Sequence, residues 1–90
     1  MRVYSRKDGS RTINGTNYKE IDKLGGVRDF EVWDYYNEGG KHLIAIEING
    51  NIKEFQEFDK WEDFEDSHGE HDPYDDCAQA FSFLRLHDYL

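Results

Sequence analysis

The chain has 90 residues, with 11 Lys and Arg against 20 Asp and Glu and a formal net charge of −9. That length makes one domain with a small core and little room beside it for a deep catalytic pocket. The charge disfavours direct binding to nucleic acid or an anionic membrane and favours a basic partner; the single cysteine, Cys77, excludes an intrachain disulfide.

The opening segment RVYSRKDGSRTI reads as a short hairpin about Asp8-Gly9, and Asn14-Gly15 offers a competing turn a few residues later. The start MRVYSRKDGSR carries no apolar signal run and no stretch approaches the length of a membrane span, so a cytoplasmic protein is expected. In NYKEIDKLGG, Asn17 and Glu20 have capping-box spacing and Tyr18, Ile21 and Leu24 share a helical face. Two turns of helix are marginal alone, so Asn17 to Leu24 is open between helix and strand.

Residues 27–58 organise the rest. Three β-rich runs are separated by NEGG and NGN, which predicts a three-stranded antiparallel meander. In the first run Phe30 and Val32 share one face while Trp33 and Tyr35 take the other, the pattern of a bulge or of burial on both faces. Ile44, Ile46 and Ile48 point one way in the middle run, with Leu43 and Ala45 opposite. The third run, from Ile52 to about Glu57, suits an edge strand guarded by Lys53, Glu54 and Glu57.

Two helices are predicted to close the chain. Asp59 and Glu62 have capping-box spacing for a helix over 60–66, with Trp61 and Phe64 on its inner side. Asp72-Pro73 suits N-cap and N1 of a second helix, on which Phe81 and Leu84 are expected to face the sheet and Cys77 to act as a small apolar core residue. The expected fold is a single α+β domain: an antiparallel β-sheet with a central three-stranded meander, packed by one or two C-terminal helices.

Charge is unevenly spread. Residues 1–28 carry a net of +4, residues 29–52 a net of −4 and residues 53–90 a net of −9. On the first predicted helix Glu62, Asp63, Glu65 and Asp66 project over an arc of roughly 160° at the helical step of about 100°. With Asp34, Glu57, Trp61, Glu70 and Asp72 they form the candidate partner-binding set. Such carboxylates can keep a small protein soluble, or they can mimic a phosphate backbone and occupy a basic groove that normally holds nucleic acid.

In size, composition and the stretch FDKWEDFEDSHGEHDPYDD, the chain resembles the small acidic proteins with which phages block CRISPR–Cas effectors or restriction enzymes. The resemblance is one of type, without a shared motif. It implies a non-catalytic inhibitor that binds a nuclease or nuclease complex, and it assigns no residue.

Other chemistry has less support. His68, Glu70, His71, Asp72, Asp75, Asp76 and Cys77 are competent metal ligands, so a small metal-binding protein using the His68–Cys77 loop is the alternative. Their spacing matches neither HExxH nor an EF-hand loop, and a polar interhelix loop explains them. The glycines at 25–26 and 39–40 lack nucleotide-binding spacings and read as turn residues, so no cofactor is expected. No nucleophile elbow surrounds Ser67 or Ser82, and no enzyme is predicted. Trp33, Tyr35, Tyr36 and Trp61 beside acids also suit a protein interface, and a structural subunit dimerising through an edge strand is a third reading.

Overall fold

A computed structural model describes residues 3–5, 10–13, 15–67 and 76–90. Six strands run in chain order: β1 (Val3–Ser5), β2 (Ser10–Ile13), β3 (Thr16–Val27), β4 (Phe30–Tyr36), β5 (His42–Ile48) and β6 (Asn51–Phe58). Each pairs antiparallel with its sequence neighbour, giving one sheet of order β1-β2-β3-β4-β5-β6. Two helices follow, α1 (Trp61–Ser67) and α2 (Asp76–Leu86). The α+β class and the central meander are as the sequence predicts. Among the described residues no helix is long and apolar enough to cross a membrane.

Turn chemistry sets the registers. Asn49 and Gly50 take φ of 52° and 80°, two positive values that match the strand twist and pair Ile48 with Asn51. The five-residue link from Asn37 to Lys41 closes on itself instead. Asn37 N–H donates to Lys41 O at 3.0 Å, and Lys41 N–H donates to Asn37 Oδ1 at 2.9 Å. Tyr36 thereby lies opposite His42.

The two N-terminal turns do not compete. Val3 pairs with Ile13 and Ile13 with Thr16, so hairpins form on both sides of β2. The residues of the Asp8-Gly9 turn lie outside the described set.

Asn17 to Leu24 is strand, not helix. Its local capping signal would support two turns with little to bury, whereas as strand it hydrogen-bonds to β2 on one side and β4 on the other. Two register shifts, at Ile21 and Leu24, interrupt the β3–β4 ladder. Bulges add twist and bend a strand. They carry the β2–β3 hairpin over one face of the sheet, where Arg11 reaches the Gly50 carbonyl (2.8 Å) and Tyr18 reaches Glu57 (2.9 Å).

The sheet is therefore buried on both faces, which explains the mixed pattern of β4. On the first face Leu24, Val32, Ile44, Ile46 and Phe58 lie beneath Phe64 of α1 and Ala80, Phe83 and Leu84 of α2. Ile46 is fully buried, as expected. On the second face Ile13, Tyr18, Tyr35, Leu43, Ala45 and Ile52 form a separate core inside the curl.

Helix α2 is rotated relative to the sequence expectation. Phe81 is 41% exposed and Cys77 is exposed, while Ala80, Phe83 and Leu84 face the sheet. Apolar residues occur on both arcs of this helix, so periodicity does not select between them. Packing does, because α2 lies against Gly25, where a Cβ would come within 3.2 Å of Cys77 Cα and Ala80 Cβ.

Gly25 and Gly26 are thus strand residues and not turn residues. A Cβ on Gly26 would lie 2.6 Å from the Phe30 carbonyl oxygen, a backbone atom that cannot step aside. Gly26→Ala is expected to cost about 1–3 kcal/mol through forced separation of β3 and β4, although the site is exposed. A chemical-denaturation midpoint equal to wild type would refute that close approach.

The end of α2 is closed by a Schellman arrangement. Tyr89 N–H donates to Leu84 O (2.9 Å) and Asp88 N–H to Arg85 O (3.1 Å), with Asp88 at φ 64°. Tyr89 then packs on the first core, its ring edge-on to Phe30 at 5.2 Å.

Candidate functional site

Helix α1 is seven residues long and is anchored by one fully buried residue, Phe64. Phe64 meets Phe58 at 5.5 Å, Trp61 at 4.9 Å and Phe83 at 5.6 Å between ring centroids. With that side fixed, Glu62, Asp63 and Asp66 are exposed and Glu65 is half-buried. The first turn is acidic and the last turn carries no basic residue. Acids in the first turn favour the helix dipole, while their mutual repulsion opposes close packing of the carboxylates.

The remaining members of the sequence-derived set do not all join this face. Asp34 is buried on β4, 2.9 Å from His42 Nδ1, and is held inside the fold and not presented to a partner. Burying a carboxylate requires such a partner, and the hairpin register places His42 diagonally across from it on the same face. Glu57 is exposed but lies on the opposite face of β6 from Phe58, accepting a hydrogen bond from Tyr18. Burial and then Glu57 push the Tyr18 hydroxyl up to about 12, so it stays a donor at neutral pH. Glu70 and Asp72 lie outside the described residues.

Trp61 does belong to the α1 surface. It is half-buried, with His42 at 5.8 Å and, beyond His42, Tyr36 at 5.5 Å. The sequence reading missed Tyr36 and His42 as neighbours of Trp61. Their only signal was the hairpin register about NEGG, which puts Asp34, Tyr36 and His42 on one face. Asp59, exposed at the same end, faces Lys41 at 3.8 Å. Of the other aromatics offered as interface residues, Tyr35 is fully buried and Trp33 packs on the second core.

Of the residues of the metal alternative, His68, Glu70, His71, Asp72 and Asp75 lie outside the described residues, while Asp76 and Cys77 begin α2. Among the described residues no group of three His, Cys, Asp or Glu is placed to hold an ion.

A second polar constellation occupies the inner core. Glu47 is 2% exposed and accepts from the Tyr35 hydroxyl and from Arg11 (2.8 Å), whose guanidinium lies 5.5 Å from the Tyr35 ring centroid. Burial raises the Glu47 carboxyl above its ordinary 4.5, opposed by the Tyr35 hydrogen bond and the Arg11 charge. Burial and Glu47 likewise raise the Tyr35 hydroxyl. This group closes the curl of the sheet, since it joins β2, β4 and β5. No protein-family model, curated protein or solved structure matches the chain.

Proposed function

We propose that this protein is a non-enzymatic, acidic protein-binding module whose α1 face occupies a basic, nucleic-acid-binding surface of a partner. The inhibitors of nuclease complexes that it resembles in type act in this way. One observation carries the reading: Glu62, Asp63 and Asp66 are exposed together on a short helix that Phe64 pins to the core, with no basic residue in the last turn. A pinned helix presents its charges without the ordering cost that a flexible acidic tail would incur on binding.

Reversal of the three exposed acids, Glu62→Lys, Asp63→Lys and Asp66→Lys, tests this reading. Phe64 and Trp61 remain, so the variant is expected to fold. Partners retained from host lysate by wild type should be basic nucleic-acid-handling proteins, displaced by duplex DNA and released as salt rises. The reversed variant should bind them at least tenfold more weakly, mostly through slower association. Unchanged affinity, or DNA and partner bound side by side, would leave the acids as a solvated surface only.

A further inference from the structure

The two apolar cores draw on different parts of the chain. Among the described residues, the first takes Leu24 and residues beyond it, including Phe64, Ala80, Phe83 and Leu84 of the helices. The second takes Ile13 and Tyr18 from the β2–β3 hairpin, closed against Tyr35, Leu43, Ala45 and Ile52 of the sheet, with no helix residue among them. Helices therefore cover one face and the hairpin covers the other. Lifting the hairpin would uncover the second core and leave the first packed.

The hairpin is also lightly joined to the rest of the sheet. Residues 16–19 of β3 pair with β2. On that side of the bulge at Ile21, only Lys19 and Glu20 pair with β4, whereas Asp22, Lys23, Gly25, Gly26 and Val27 pair with it beyond the bulge. Ile21 is 53% exposed, so a change of backbone angle there disturbs little packing. Across the face, side chains fasten the hairpin. Arg11 donates to Glu47 Oε1 and to the Gly50 carbonyl, each at 2.8 Å, and Tyr18 donates to Glu57 at 2.9 Å.

We infer that β2 and residues 16–20 form a strap that opens as a unit about the bulge at Ile21, uncovering the second core while the helix-covered first core stays folded. Proteins open in contiguous units whose limits fall where contacts are sparse, and here the limit is a bulge with two residue pairs before it. The inference is independent of the acidic reading, because α1 and its carboxylates stay on the first core throughout.

Native-state hydrogen exchange of the full chain, resolved by segment, tests the strap. Amides of β2 and residues 16–20 are expected to exchange at least tenfold faster than those of β5, which lies between β4 and β6 and is released only by global unfolding. Ile46→Val, a mild truncation in the first core, separates the two kinds of opening. It should speed β5 exchange about two- to tenfold and leave strap exchange unchanged, since Ile46 stays packed when only the strap lifts. A second readout uses Trp61→Phe, which leaves Trp33, packed on the second core, as the sole tryptophan. Its emission should shift at lower urea than the loss of helical circular dichroism. Equal protection of strap and β5, equal acceleration of both by Ile46→Val, or coincident urea curves would make the molecule one cooperative unit and overturn the strap.

Discussion

Replacing Glu47 by alanine is expected to destabilise the protein by about 3–5 kcal/mol, out of the roughly 5–15 kcal/mol that hold a domain folded. The cause is not the loss of an attractive contact alone. The substitution leaves the Arg11 guanidinium uncompensated at 11% side-chain exposure and the Tyr35 hydroxyl without its acceptor. Replacing all three members together, as Arg11→Met, Tyr35→Phe and Glu47→Leu, should therefore cost much less than Glu47→Ala by itself. Thermal melting of the two variants decides the matter. An equal loss in both would mean that packing and not orphaned polarity sets the cost.

The same residue gives a pH dependence with a definite sign. Burial holds the Glu47 carboxyl above its ordinary 4.5 in the folded chain, so between the unfolded and folded values the native state binds more protons. The stability this group contributes is present below the ordinary carboxylate range and is lost as pH rises through the folded value. Glu47→Gln cannot titrate, so its stability relative to wild type should improve as pH rises across that window. A difference between the two that stays constant with pH would contradict the direction of the shift.

Phe64→Ala is the second large effect, expected at about 3–5 kcal/mol. Phe64 is fully buried where Phe58, Trp61 and Phe83 converge, and it is the one residue of α1 that is buried. The loss should include detachment of α1, which a seven-residue helix cannot survive alone. Amide exchange within residues 61–67 should then accelerate more than exchange in β5. Phe81→Ala is the control, because its ring is exposed and meets Arg85 across 5.1 Å at the surface. It should change stability by no more than about 0.5–1 kcal/mol. A larger effect at Phe81 than at Phe64 would mean that α2 faces the sheet through its other arc.

Local chemistry was enough for the elements whose signals are local. Asn49-Gly50 and the alternation about Ile44, Leu43, Ile46 and Ala45 placed the middle and third strands, because turn geometry and two-residue periodicity are properties of neighbouring residues. The exposed acids of α1 were legible for the same reason, since Phe64 sets the phase of a short helix. Tertiary structure decided the rest. Asn17 to Leu24 became strand because β2 pairs with its first residues, up to Lys19, and β4 with those from Lys19 onward, which no local capping pattern can register. Helix α2 turned Phe83 inward and Phe81 outward because its two apolar arcs are similar in sequence, and the close approach at Gly25 distinguishes them. Asp34 left the surface for His42, and Tyr36, His42 and Trp61 came into one row, because those pairings depend on strand register and helix docking, not on spacing along the chain.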